Sequence, residues 1–113
     1  MINASVFKAY DVRGLYPSEI TEELFFLLGR AFIAYLGPGT YAVTRDMRVS
    51  SPSLSKAFID GAVLQGGTII DYGLVGTDQM YFAVAADRLD GGAQITASHN
   101  PGEYNGCKMV RKE

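Results

Sequence analysis

The chain has a single cysteine, a single histidine and no apolar run near the roughly 20 residues that span a bilayer. Cys107 has no second cysteine for an internal disulfide, and no Cys or His stands near it at metal-ligand spacing. These scarcities exclude a disulfide scaffold and a zinc motif, and leave a packed strand position as the expected role of Cys107. The N-terminus lacks the basic start and continuous apolar stretch of a secretory signal, so a cytoplasmic location is expected. Charge of one sign is scarce as well. The net charge is −2 and the ten Lys and Arg residues are scattered, which gives no broad field for nucleic acid, so any anionic ligand must be held locally. Neither a nucleic-acid nor a membrane partner is expected. Internal repeats and low-complexity tracts are absent, as are a Gly-x-Ser-x-Gly nucleophile elbow and an Asp-x-Asp-x-Asp metal loop.

What is present suits one domain over residues 1–113, with nearly half the residues apolar and about a fifth charged. Leu24, Leu27, Leu28, Ala31, Phe32, Tyr35 and Leu36 recur at helical spacing. Thr21 is the expected N-cap, Glu22 and Glu23 favour the first turn, Ile20 and Phe25 suit a hydrophobic staple, and Gly37-Pro38-Gly39 stops the helix. Tyr41–Thr44 reads as a short strand. A second helix follows, with Ser51 as N-cap and Pro52 at its first position. Its buried side is traced by Leu54, Ala57, Phe58, Gly61, Ala62 and Gln65, the small residues permitting close approach to a sheet. Thr68–Asp71 reads as a buried strand and Asp78–Asp87 as a weaker helix with Met80, Tyr81, Ala83 and Val84 inward. Ala93–Thr96 then forms a strand, and Gly106–Val110 returns antiparallel to it. Strand, helix, strand implies a parallel pair with a right-handed crossover. The expected fold is α/β: a three-layer α/β/α domain on a small, mixed, mostly parallel four-stranded sheet.

Open sheets of this kind bind ligands beyond the carboxyl ends of their parallel strands. Arg45 and Arg48 follow one strand and Ser98 and His99 another, and the N-terminus of the helix near Ser51 is expected to offer backbone N–H groups to the same crevice. In Thr96-Ala97-Ser98-His99-Asn100-Pro101, the Asn-Pro and Pro-Gly pairs mark a turn, so Ser98 should lie on a tight exposed loop. By composition alone this is a polar turn. The whole string, however, resembles the phosphoserine loop of the phosphohexomutases, the family that includes phosphoglucomutase and phosphomannomutase. Phe7-Lys8-Ala9-Tyr10-Asp11-Val12-Arg13-Gly14 resembles that family's N-terminal signature, and Asn105-Gly106-Cys107-Lys108 its Asn-Gly-x-Lys element.

The resemblance implies the first, phosphoserine-bearing domain of a four-domain enzyme that interconverts hexose 1-phosphate and hexose 6-phosphate through a bisphosphorylated sugar. Ser98 would carry the phosphoryl group, Lys108 would be the leading general acid/base, and His99, the chain's only imidazole, would contact phosphate or sugar oxygens. Arg13 and Tyr10 would line the phosphosugar pocket, with Asn100 among the substrate contacts, and Asp11 would fix its loop. Arg45 and Arg48 match an Arg-Asp-x-Arg element read as structural or phosphoserine-supporting. Mg²⁺ would take one oxygen from phosphorylated Ser98 and the rest from aspartates of a domain this chain does not contain. The sugar bisphosphate would serve as activator and intermediate, the partners would be the phosphosugar and the remaining domains, and the isolated domain would turn over little. Lys8-Ala9-Tyr10-Asp11 and Thr96 fit the phosphomannomutase/phosphoglucomutase branch better than the phosphoglucosamine branch. A non-catalytic phosphate-binding or interaction module competes with the mutase reading. A serine hydrolase is disfavoured, because a triad needs its histidine on a separate element. One departure is Gly76-Thr77-Asp78, where relatives commonly have Thr-Pro; Thr77 is expected to N-cap there.

Overall fold

The computed structural model describes residues 7–8, 11–98 and 100–111. The elements run β1 (Phe7–Lys8), β2 (Asp11–Leu15), α1 (Glu22–Leu36), β3 (Thr40–Arg45), α2 (Ser51–Leu64), β4 (Thr68–Leu74), α3 (Thr77–Ala86), β5 (Gly91–Ile95) and β6 (Tyr104–Arg111). They form one sheet of order β1-β2-β6-β5-β3-β4. β3 pairs parallel with β4 and β5, while β5–β6, β6–β2 and β2–β1 are antiparallel. The α/β/α layering expected from the sequence is there, with α1 and α2 on one face and α3 on the other.

Two expectations about the sheet need correction. It has six strands rather than four, and antiparallel pairings outnumber parallel ones, so only its β5-β3-β4 half is parallel. Both differences arise from the N-terminal signature. Asp11-Val12-Arg13-Gly14-Leu15 has weak strand propensity because Asp and Gly are disfavoured on a pleated surface. It becomes a strand by pairing with the free edge of β6, placing Arg13 opposite Gly106 and Gly14 opposite Asn105.

The ends of α1 follow local chemistry. Thr21 accepts the Leu24 N–H at 3.0 Å as N-cap, Ile20 and Phe25 are both fully buried, and Gly37 with φ +94° ends the helix. Its face is rotated from the expected stripe. Leu24, Phe25, Gly29, Phe32 and Ile33 are buried, while Leu27 and Tyr35 are exposed. The reason is that α1 meets two surfaces at once, the sheet through its aromatic and branched residues and α2 through Gly29, a residue that contributes no apolar signal.

α2 likewise corrects the expectation for Gly61. Its close neighbour is α1 rather than the sheet: a Cβ at Gly61 would lie 2.0 Å from the Phe26 carbonyl oxygen, and one at Gly29 would lie 2.1 Å from that of Phe58. The capping residues shift by one at the next two helices. Ser50 rather than Ser51 is the N-cap of α2, and Gly76 rather than Thr77 that of α3, where the Gln79 side chain accepts the Gly76 N–H at 2.6 Å. Gln65 and Tyr81, both expected inward, are exposed.

The main core fills the space between the sheet and the α1–α2 layer, with Phe25, Ile33, Tyr41, Leu54, Phe58, Ile95 and Cys107 all fully buried or nearly so. Each such large side chain contributes about 1.5–3 kcal/mol of burial free energy. Cys107 occupies the packed strand position expected of it. A smaller cluster of Ala42, Met80, Val84 and Leu89 holds α3 to the opposite face.

Candidate functional site

β5 is buried along its whole length, flanked by parallel β3 and antiparallel β6, and this rigid strand delivers Thr96 and Ser98 to the carboxyl edge of the sheet. β3 delivers Asp46 and Arg48 to the same edge, where the Asp46 N–H bonds the Ile95 carbonyl at 3.1 Å. Ser98 is half-buried rather than exposed, because the loop folds back over Arg48. It has φ +56°, in the left-handed region that costs a non-glycine residue about 1 kcal/mol or more. It lines a hollow of about 390 Å³ with Asp46, Arg48, Thr77, Gln94 and Asn100. Among the described residues its hydroxyl has no hydrogen-bond partner.

Arg48 holds the loop together. Its Nε donates to Asp46 Oδ2 at 3.0 Å, Nη1 to the carbonyls of Pro101 (2.7 Å) and Tyr104 (3.0 Å), and Nη2 to those of Ser98 and Asn100 (both 2.8 Å). A guanidinium has five N–H donors, so every one is engaged by protein and none is left for a phosphate oxygen. Of the two readings of Arg48, structural and phosphate-supporting, these contacts favour the structural one. Arg13 reaches the same loop from β2, donating from Nη1 to Asn100 Oδ1 at 3.1 Å. Arg45 does not join them: its guanidinium lies 3.9 Å from the Asp71 carboxylate on β4.

Asp46 is the residue that sequence reasoning passed over. Oδ1 accepts from the Arg48 N–H and the Ser51 hydroxyl, and Oδ2 from Arg48 Nε and the Thr96 hydroxyl at 2.6 Å. The anion at the start of α2 is thus this carboxylate, and the helix end contributing to the hollow is that of α3 through Gly76 and Thr77. A signal was available in the sequence, since an acidic residue two positions before an arginine, with a serine at the helix start just beyond, has a guanidinium, a backbone N–H and a hydroxyl within short chain reach to donate to it.

Burial by itself pushes the Asp46 carboxyl up, but hydrogen bonds from Thr96, Ser51 and the backbone and side chain of Arg48 outweigh it and hold the group below the usual value of 3.8. A depressed native pKa means that the ionised group's stabilising contribution is fully present above the unfolded value. It is lost as pH falls through the native one. Denaturation across about pH 6 to pH 2 is therefore expected to show an acid limb that Asp46→Asn flattens. An unchanged limb in that variant would exclude Asp46 as its source.

The Asn-Gly-x-Lys element closes the site from β6. Asn105 is fully buried, its amide donating to the Ser50 and Ser51 hydroxyls at 2.7 and 3.0 Å, and so ties the hairpin to the start of α2. At Gly106 a Cβ would meet the Val12 carbonyl oxygen at 1.9 Å, so β2 can pair there only against glycine. Lys108 pairs with Gln94 on β5, and residues opposite one another in an antiparallel pair share a face. Gln94 lines the Ser98 hollow, whereas Lys108 lines a separate, mostly apolar hollow of about 890 Å³ between α1 and the end of β6. The structure thus brings Ser98, Asn100, Arg13 and Arg48 together and leaves Arg45 and Lys108 outside the lining of that hollow. Tyr10 and His99 lie outside the described residues.

Residues 4–113 match the family model for phosphoglucomutase/phosphomannomutase, alpha/beta/alpha domain I. A phosphomannomutase of Klebsiella pneumoniae is 43% identical over 112 residues, which cover 99% of this chain and 71% of the relative. One from Escherichia coli is also 43% identical over 112 residues, 99% of this chain and 25% of its own length. The crystal structure of a phosphoglucomutase/phosphomannomutase family protein from Burkholderia thailandensis superposes with a TM-score of 0.89 at 37% identity, over 98% of this chain and 27% of that one. The chain therefore spans about a quarter of the length of two of these three relatives. With a family match along nearly its whole length and the α/β/α layering that the family model describes, the chain belongs to the phosphoglucomutase/phosphomannomutase family as its domain I.

Proposed function

We propose that this chain is the phosphoserine-bearing domain of a hexose-phosphate mutase, acting on a phosphomannose or phosphoglucose. The observation that carries this reading is Ser98, a serine in a left-handed turn at the carboxyl edge of the parallel strands, lining a hollow with its hydroxyl unengaged among the described residues. In the forward half-reaction the Oγ–P bond of phosphoserine breaks and a bond forms from phosphorus to a sugar hydroxyl oxygen, whose proton is taken by a base while the departing Ser98 Oγ is protonated to the hydroxyl. In the second half-reaction the Ser98 hydroxyl loses its proton as Oγ takes the other phosphoryl group from the bisphosphorylated sugar, and the departing sugar oxygen receives the proton held on the base. Family resemblance assigns the proton to Lys108, on the sheet face it shares with Gln94, and phosphosugar contacts to Arg13, Asn100, Tyr10 and His99.

Mg²⁺ would neutralise charge on the transferring group. The described residues alone do not fit it: Asp46 spends each oxygen on two protein donors, and no group of three His, Cys, Asp or Glu among them could hold an ion. A phosphate on Ser98 would give one ligand oxygen, and the others would come from further domains, which the greater length of the relatives supports. The test is mass analysis of the assembled mutase after incubation with a hexose 1,6-bisphosphate. A single added phosphate that maps to Ser98 is expected; none at that hydroxyl would sink the reading.

A further inference from the structure

We propose that Thr96, backed by the Asp46–Arg48 pair, is the positioning residue that aims Ser98 for phosphoryl transfer. The inference rests on Ser98 being the carrier.

Its basis is a closed hydrogen-bonded circuit. Asp46 is an ionised carboxylate and accepts only, so the Thr96 hydroxyl proton must point to Asp46 Oδ2, 2.6 Å away. The Thr96 oxygen then has only lone pairs to offer its other neighbour, and it accepts the Ser98 N–H at 2.9 Å. Arg48 binds the same Oδ2 through Nε and the Ser98 carbonyl through Nη2. Both backbone polar groups of Ser98 are thereby held by one carboxylate–guanidinium unit, with Thr96 relaying one of the two grips. The residue so held is the one at φ +56°, and a serine without those grips would relax to negative φ and swing its Cβ and Oγ to a new direction. Transfer to and from Oγ depends on that direction, since a displacement of about 1 Å at a reacting atom costs on the order of 10²-fold in rate. Thr96 is almost fully buried and directly follows β5, so its own position is fixed by the strand.

Thr96→Val in the assembled mutase keeps the buried shape and removes both bonds of the relay. Its kcat is expected to fall about tenfold or more, with KM for the hexose phosphate changed by less than about twofold, because the interaction lost acts on the chemical step. Thr96→Ser, which restores the hydroxyl, should recover kcat to within about threefold. The intense intraresidue HN–Hα cross-peak that marks positive φ at Ser98 should weaken in the valine variant and return in the serine one. Should Thr96→Val fail to fold, Arg48→Lys, with three donors for five acceptors, replaces it and should show the same split. An unchanged kcat in the folded variant, a loss confined to KM, or an unaltered cross-peak would overturn the proposal. Absence of phosphate on wild-type Ser98 would defeat the carrier reading separately, and the cross-peak would still decide whether Thr96 sets the conformation.

Discussion

Gly61→Ala is expected to cost the domain about 3 kcal/mol or more of stability, although alanine is the better helix former by about 1 kcal/mol. The two effects have opposite sign, and geometry decides between them. The new methyl would sit 2.0 Å from the Phe26 carbonyl oxygen and 2.9 Å from its carbon, and these are backbone atoms inside α1 that no rotamer change can move aside. Gly29 makes the reciprocal approach to Phe58, so the two helices cross backbone to backbone. Relief requires the helices to separate by about 1 Å, unpacking Phe32 from Phe58, whose ring centroids lie 5.6 Å apart, and opening the main core. A domain of this size has roughly 5–15 kcal/mol in total, so the loss is a large fraction. Thermal or urea denaturation of the purified variant measures it. A Gly61→Ala protein more stable than wild type by about the propensity difference would refute the backbone crossing.

Ser98→Ala in the assembled mutase is expected to reduce turnover by about 10⁴-fold or more, the scale on which removal of a covalent nucleophile acts. Unfolding is not an available explanation, because Ser98→Gly controls for it. Glycine adopts φ +56° without penalty, so the glycine variant should be about as inactive as the alanine one and yet more stable by about 1 kcal/mol. Turnover with hexose 1-phosphate plus a trace of bisphosphate, read beside the melting temperature, separates the two properties. Activity near wild type in either variant would remove Ser98 from the chemistry.

Much of the fold was legible because it follows from short-range rules. The cap at Thr21, the staple of Ile20 and Phe25, the stop at Gly37 and the β5–β6 hairpin all depend on residues close in sequence, and the structure has each of them. The errors share a different origin. The face of α1, the partner of Gly61 and the strand character of Asp11–Leu15 are set by what lies across a contact rather than along the chain. A glycine that carries a helix crossing looks, in sequence, like a weak point in a helix. A strand stabilised by the edge of β6 looks like a loop with charged residues at its first and third positions and a glycine at its fourth. The site divides in the same way. The Thr96–Pro101 string marked the turn at Ser98, and the arginines of Arg45-Asp46-Met47-Arg48 drew attention to that loop, but the two arginines then part company, Arg45 toward Asp71 and Arg48 into the carbonyls of residues 98–104.

By itself, the order of residues determined the family, the α/β/α class, the turn at Ser98 and the elements that flank it, since local propensity and motif chemistry act over a few positions. Only the tertiary structure decided that Asp46, fifty residues before Thr96, is its hydrogen-bond partner, that Arg48 is consumed in holding the loop, and that Ser98 is kept in a left-handed conformation. The physical reason is that a half-buried carboxylate and guanidinium, largely withdrawn from water, need protein partners for their lone pairs and protons, and the sheet assembles those partners from segments that are remote in sequence.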